Sequence, residues 1–364
     1  MSPLFPVLLV AVVMGTALHQ DAEKSPAYTV DGPEEKHLVK NVRGYLVLKQ
    51  RGMTGWGIRA VSLPDLKERT VLPVRESMQV YSLSGPDRDG RIGFIQRQLR
   101  PDRFSLRTIR LDGKEEEMFS RPGDPIWDHV VGESLALAPQ GGRVAFVRKP
   151  EGVRNRGWPF LIRAGPLEVW DLASKAGRDA GVRAVDLSFS LSWFPDGERL
   201  AYVELLPRAA VNLTPAWLGD FGTGFREWGQ VPAIHVLHVG TGKKTFLHVG
   251  FNPVVSCDGK SVLVTDADDE HWRLVDVGSG KSRAVQWPGN LRPLALVGSK
   301  LVIYWGLPTT GTPLRLTEYG SPIARRRLMV SLKIAELDSG KFQTLVRDVD
   351  PRHSVSFGMT REQR

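Results

Sequence analysis

Cysteine is almost absent from this sequence. Cys257 stands alone among 364 residues, so no disulfide can form within the chain and a buried core must stabilise it. It follows an apolar run and precedes a turn, the setting of a structural thiol rather than a reactive one. Long apolar stretches are equally scarce. The one uncharged run, LFPVLLVAVVMGTAL from Leu4 to Leu18, falls short of the ~20 residues a membrane-spanning helix needs. It fits the h-region of an export signal, with Gly15, Thr16 and Ala17 supplying small residues for cleavage after Ala17. Only the α-amino group marks a basic n-region, so an uncleaved N-terminal anchor is the competing reading. No cysteine lies near the run, which argues against lipid attachment there. Acidic charge is in deficit too: 40 Asp and Glu against 49 Lys and Arg leave a formal +9. That balance suits an anionic polymer, anionic lipid or an acidic protein patch. Nucleic acid is not expected as a partner of an exported chain that lacks a recognised binding motif. With 41% hydrophobic and 24% charged residues, a mostly disordered chain is excluded.

Turn chemistry, by contrast, is abundant: Gly 37 and Pro 25 exceed ordinary usage, with no collagen period. It recurs at a regular interval. The clearest unit is SWFPDGERLAYV, Ser192 to Val203, a short strand, a Pro-Asp-Gly turn and an apolar strand. Pro pre-sets φ, Asp bonds its local backbone and Gly takes positive φ. Weaker copies are Tyr81 to Ile95, Ala136 to Val147, Val254 to Val264 and Leu294 to Ile303. Their turn positions Gly90, Gly142, Gly197, Gly259 and Ser299 recur about every 50 residues, a propeller-blade period. A second series pairs alternating strands with a tight turn and a lysine: Ile58 to Lys67, Leu106 to Lys114, Leu167 to Lys175, Ile234 to Lys243, Trp272 to Lys281 and Ser331 to Lys341. The two series interleave along the whole chain.

Each unit therefore reads as four strands, a to d from the inside outward. The expected fold is all-β, a six-bladed β-propeller of four-stranded blades. Its first unit, opening at Gly44 with GYLVLKQ, lacks a strand a. RHSVSFG, Arg352 to Gly358, offers one, so a C-terminal strand pairing into the first blade is expected to close the ring and remove open sheet edges. The boundaries are a signal peptide over 1–17, a polar tether over 18–43, the propeller over 44–358 and a tail over 359–364.

The SWFPDGERLAYV and APQGGRVAFV units resemble the propeller repeats of TolB-like proteins, shared with the propeller domains of dipeptidyl-peptidase-type enzymes. The resemblance spans about residues 44 to 358 and implies an exported six-bladed propeller; in TolB that fold serves as a periplasmic protein-interaction platform. The chain departs from both groups. TolB carries an α/β domain before its propeller, and the short stretch between Leu18 and Arg43 cannot hold one. The peptidases carry a serine-hydrolase domain, and no G-x-S-x-G nucleophile elbow occurs here. A bare propeller is expected, so neither activity transfers.

Residues accumulate in the b–c connections: Gln96 to Phe104, Lys149 to Pro166, Leu206 to Pro232, Asp266 to His271 and Gly306 to Leu328. In a propeller these loops and the links between blades emerge on one face, which becomes the expected working surface. The longest carries Trp217, Phe221, Phe225, Arg226 and Trp228 between glycines, rings that either contact a partner or pack the loop onto the rim. Arg325, Arg326 and Arg327 lie in another, and His129 lies on the link into the third blade. Asp266, Asp268, Glu270 and His271 form the densest set of metal-type ligands, with oxygens suited to Ca²⁺ but without EF-hand spacing, so a solvated hairpin tip is the alternative. His235 and His238, three apart on a strand, face opposite ways.

The favoured function is a non-enzymatic, periplasmic or secreted, monomeric propeller that binds a protein or peptide through its b–c face. It has no cofactor and no membrane span after signal cleavage. The alternative is a hydrolase or lyase acting on an exported polymer, with His129, Glu270 and His271 as its chemistry.

Overall fold

The computed structural model describes residues 35, 37–51, 55–99, 102–122, 134–148, 164–185, 190–207, 230–266, 272–285, 293–306, 330–349 and 355–360. They form six four-stranded antiparallel sheets. Blade 1 contains β1 (Gly44–Arg51), β2 (Gly55–Leu63) and β3 (Glu68–Glu76). Blade 2 contains β4 (Met78–Ser84), β5 (Arg91–Leu99), β6 (Asp102–Arg110) and β7 (Glu115–Pro122). Blade 3 is β8 (Leu135–Leu137), β9 (Arg143–Val147), β10 (Ala164–Asp171) and β11 (Ala176–Val185). In blade 4 the strands are β12 (Leu191–Trp193), β13 (Arg199–Pro207), β14 (Gln230–His238) and β15 (Lys244–Val249). Blade 5 runs through β16 (Phe251–Val255), β17 (Ser261–Thr265), β18 (Trp272–Asp276) and β19 (Ser282–Val285). Blade 6 has β20 (Pro293–Val297), β21 (Leu301–Gly306), β22 (Val330–Glu336) and β23 (Phe342–Val349). The last strand, β24 (Val355–Gly358), pairs with β1 and supplies the missing inner strand of blade 1, Tyr45 opposite Gly358 and Leu48 opposite Val355.

The innermost strands meet in the order β24, β4, β8, β12, β16, β20 and back to β24, so the sheets form a closed ring. Its core is divided among the six seams between blades. Along β9, Val144 and Phe146 pack with Ile95 and Leu106 of blade 2, while Ala145 and Val147 pack with Leu200 and Tyr202 of blade 4. Along β17, Val262 and Val264 face blade 4 and Leu263 faces blade 6. The b strands are apolar on successive residues because both of their faces are covered. Each such aliphatic side chain, fully buried, contributes about 1.5–3 kcal/mol. Blade 6 meets blade 1 through Ile303, Leu332 and Ile334 against Leu46 and Leu48.

Both series of turns stand where the repeats place them. Gly90, Gly142, Gly197 and Gly259 take φ of 74°, 79°, 69° and 70°. In blade 6 the positive φ belongs to Gly298 (61°) rather than to Ser299. Asp196 accepts the backbone N–H groups of Glu198 and Arg199 at 2.9 and 3.0 Å, the local bonding expected of a Pro-Asp-Gly turn.

Two expectations are revised. Gln96 to Phe104 is not a loop, because β5 and β6 pair without interruption as far as Leu99 opposite Asp102. And the polar segment ahead of the propeller, described from Glu35, is held against blade 6. The Glu35 N–H donates to the Phe342 carbonyl at 2.7 Å, and the Val39 N–H donates to Gln343 Oε1 at 2.9 Å. A 3-10 turn over Leu38–Asn41 then lays Val39 and Val42 into the apolar seam between blades 6 and 1. The seam that β24 closes from inside is thus covered from outside by the segment that leads into β1.

Candidate functional site

Strand direction gives the ring two unlike rims. Because successive strands alternate, every a–b and c–d turn emerges on one side, and every b–c connection and blade-to-blade link on the other. No connection on the turn rim is longer than the six residues Gly85–Gly90. All longer ones, spanning 123–134, 148–163, 208–229, 286–292 and 307–329, join strand ends on the loop rim.

The turn rim is tied together by a repeated backbone bond that the sequence did not announce. In five blades the residue that opens the c–d turn donates its N–H to a carbonyl of the a–b turn: Leu111 to Gly90 (2.8 Å), Leu172 to Gly142 (2.8 Å), Val239 to Glu198 (2.9 Å), Val277 to Lys260 (2.9 Å) and Leu337 to Lys300 (2.7 Å). Other bonds run from blade to blade. The Arg88 N–H donates to the Pro139 carbonyl at 2.9 Å, Gln140 Nε2 to the Pro195 carbonyl at 2.5 Å and the Cys257 N–H to the Leu296 carbonyl at 3.0 Å. Ser356 Oγ donates to the Gly85 carbonyl at 2.8 Å, linking the closing strand to blade 2. Deeper in, Trp193 Nε1 reaches the Ala136 carbonyl at 2.9 Å. A cavity of about 160 Å³ lies on the axis among the turn-ward ends of the six inner strands, with Ser84, Leu137, Trp193, Val255, Leu296 and Phe357 around it. Ser84 and Ser192 hydroxyls there already accept the Leu137 and Val255 N–H groups, at 2.7 and 3.1 Å.

The sequence-derived contacts Trp217, Phe221, Phe225, Arg226, Trp228, His129, Arg325, Arg326 and Arg327 lie outside the described residues, as do Asp268, Glu270 and His271. Asp266 is described. It sits where β17 ends on the loop rim, and both carboxylate oxygens are engaged: Oδ1 with His248 Nε2 at 3.1 Å and Oδ2 with Arg273 Nε at 2.6 Å. Burial alone would raise its pKa, but the hydrogen bonds and charges of His248 and Arg273 hold the carboxyl below its ordinary value. Asp266 therefore clasps β15 of blade 4 to blade 5. Among the described residues no group of three or more His, Cys, Asp or Glu is gathered for a metal ion.

Sequence reading missed a second charged cluster on blade 4. Glu204 accepts the Lys244 ammonium at 2.8 and 3.2 Å and the Tyr202 hydroxyl at 3.3 Å, with His235 Nδ1 at 3.5 Å. Burial, reinforced by Glu204, pushes the Tyr202 hydroxyl well above its ordinary pKa. Burial also lowers the pKa of His235, against the opposing pull of Glu204. The His235 ring lies between Tyr202 and Phe246, 5.7 Å from each, and Phe246 ends this three-strand ladder at 50% exposure. The residues come from β13, β14 and β15, and only cross-strand register brings them together. Spacing along the sequence gives no sign of that.

Fold and rims together define a six-bladed β-propeller closed by its C-terminal strand, of the kind seen in TolB proteins. Among solved structures the chain is similar to TolB from Acinetobacter baumannii, with TM-score 0.56 and 14% identity over 86% of this chain and 66% of that one. It thus spans just under two thirds of that protein. A TolB from Agrobacterium tumefaciens is matched at TM-score 0.50 and 13% identity, over 86% of this chain and 97% of that one. A propeller from the nidogen/laminin complex is matched at TM-score 0.51 and 12% identity, over 87% and 98% of the two chains. No family model and no curated protein sequence matches the chain. At these identities the likeness is one of fold.

Proposed function

We propose that this chain is an exported, monomeric propeller that binds a protein or peptide partner through its loop rim. The supporting observation is the asymmetry between the rims: the long connections all leave from one side, while short interlocked turns brace the other. A rigid scaffold that gathers its variable loops on one face is the usual arrangement for recognition. In this reading Trp217, Phe221, Phe225 and Trp228 supply apolar contact area, and Arg226, Arg325, Arg326, Arg327 and His129 supply polar contacts. Asp266, with its His248 and Arg273 partners, steadies the base of the loop between β17 and β18. Residues 1–17 act as the export signal, which places the protein in the periplasm or outside the cell. The nidogen/laminin neighbour, solved as a protein complex, is a precedent for a propeller of this fold in protein assembly.

The test is capture from a cell-envelope extract with the intact chain and with the variant Trp217→Ala/Phe221→Ala/Phe225→Ala/Trp228→Ala. Loss of a specific protein from the variant's eluate, identified by mass and rebound when purified, supports the reading. Equal recovery by both chains removes the aromatic loop as a contact. Turnover of an exported polymer that depends on His129, Glu270 or His271 would replace binding by catalysis as the function.

A further inference from the structure

Three a–b turns give an aspartate the same local task. Asp87 Oδ1 accepts the backbone N–H groups of Asp89 and Arg91 at 2.8 and 2.9 Å, Asp196 Oδ1 those of Glu198 and Arg199 at 2.9 and 3.0 Å, and Asp258 Oδ1 that of Lys260 at 3.1 Å. Their surroundings differ. Asp196 and Asp258 are exposed to water, and Asp196 Oδ2 also holds Arg199 Nε at 2.6 Å. Asp87 is fully buried, at 0% exposure, and its Oδ2 has no hydrogen-bond partner among the described residues. A carboxylate oxygen buried without a partner is costly, so this one calls for a partner that the chain itself does not supply.

Asp89 brings a second carboxylate to the same place. Gly141, in the a–b turn of blade 3, has no side chain to intrude: a Cβ there would stand 2.9 Å from Asp87 Oδ2 and 3.4 Å from Asp89 Oδ2. The two oxygens thus border one small space, which a methyl group would fill. The Asp89 side chain is 25% exposed, so the space can be reached from the rim. Two arginines stand near, but neither donates to Asp87 Oδ2. Arg91 gives its backbone N–H to Oδ1, and Arg88 turns Nη1 to Gln140 Oε1 at 3.0 Å, leaving its Nε 4.0 Å from Asp89 Oδ2.

We propose that Asp87 Oδ2 and Asp89 Oδ2 bind a calcium ion in the seam between the a–b turns of blades 2 and 3. Calcium takes oxygen ligands in flexible geometry, and waters complete its shell where side chains are few. Magnesium demands near-ideal octahedral geometry and gives up water reluctantly, which suits it less to a carboxylate already dehydrated by burial. Two carboxylates place the site among weak calcium sites, with a Kd of about 10⁻⁴–10⁻³ M. The ion neutralises the buried charge at the point where the Arg88 N–H meets the Pro139 carbonyl, 2.9 Å away on blade 3. Its role is to brace the turn rim, whatever the loop rim binds.

The test is urea denaturation of the full chain, stripped with EDTA and compared with and without calcium chloride at matched ionic strength. At about 10 mM, calcium should raise the folded-to-unfolded ratio by about 10–100-fold. Asp87→Asn keeps a side-chain oxygen for the Asp89 and Arg91 N–H groups but removes the anionic Oδ2. It should be no less stable than the parent in EDTA and should lose the calcium increment. Asp89→Asn probes the same space without touching those two bonds and should lose most of the increment, so it carries the test if Asp87→Asn folds poorly. Asp196→Asn, which alters the corresponding turn of blade 4, should keep the increment in full. No response of the parent to calcium, an undiminished response in Asp89→Asn, or loss of the response in Asp196→Asn would each overturn the proposal. Stabilisation of the stripped parent by acid in place of calcium would do so too, by assigning a proton to Oδ2.

Discussion

Ring closure can be tested at one atom. Gly358 ends β24 against blade 2, and a Cβ placed there would stand 2.8 Å from the Pro86 nitrogen and closer still to the Pro86 carbonyl oxygen. Both are backbone atoms, so Gly358→Ala cannot be relieved by a side-chain rotation. The strand must shift instead. Forcing a single methyl into a packed site costs about 1–3 kcal/mol. A shift also strains the Ser356 bond to the Gly85 carbonyl, worth about 1 kcal/mol. The expected loss is therefore about 2–4 kcal/mol. Gly278→Ala is the control, because its Cβ would meet only Asp276 Oδ1 at an ordinary 3.6 Å and should change stability by no more than about 0.5 kcal/mol. Urea denaturation of both variants and the parent, followed by tryptophan fluorescence, measures the difference. If Gly358→Ala were as stable as Gly278→Ala, β24 would not be a tightly seated part of the ring.

Other seams give further expectations. Trp193→Phe keeps the ring packing but removes the donor to the buried Ala136 carbonyl, and should cost about 1–3 kcal/mol in the same assay. His235 has a folded pKa below its unfolded value of 6.5, so the unfolded chain binds the extra proton. Stability should therefore fall as pH drops below 6.5, by at most about 1.4 kcal/mol per unit, and His235→Gln should flatten that slope in pH-resolved denaturation. Asp266 behaves in the opposite way to a raised acid. Its folded pKa lies below 3.8, so its contribution is present above that pH and is lost as pH falls through the folded value. Asp266→Asn should weaken the protein at neutral pH by about 1–3 kcal/mol and remove this acid-limb dependence.

The fold was legible because its turns are chemically demanding. A position that needs positive φ selects glycine, and four of the five a–b turn positions chosen from the sequence hold such a glycine; in the fifth the residue is Gly298, one position earlier than Ser299. The closing strand was legible because blade 1 lacked a partner and VSFG had the right alternation; the described pairing runs from Val355 to Gly358. The β5–β6 hairpin was hidden for a physical reason. Past Gln96 this end of the blade is wet, with Gln98, Leu99 and Arg103 exposed, so QRQLRPDRF carries no apolar period even though Arg97 to Leu99 pair with Asp102 to Phe104. Asp266 drew notice for its acidic neighbours in sequence; what spacing did not reveal is its partners, His248, a blade away, and Arg273 on the next strand. The Glu204 cluster was illegible altogether, because cross-strand register rather than sequence spacing assembles it.

Tyr45 and Gly358 are paired neighbours, yet nearly the whole chain separates them. Synthesis delivers the N-terminal end first, so blade 1 must wait with an open inner edge until Val355 to Gly358 arrives. Contacts of such separation form late and slowly. Until then, that edge and the uncovered flank of blade 6 can pair with other chains. A product that stops short of Val355 would carry this exposed seam permanently. Quality control could then distinguish finished chains from unfinished ones by a single four-residue strand.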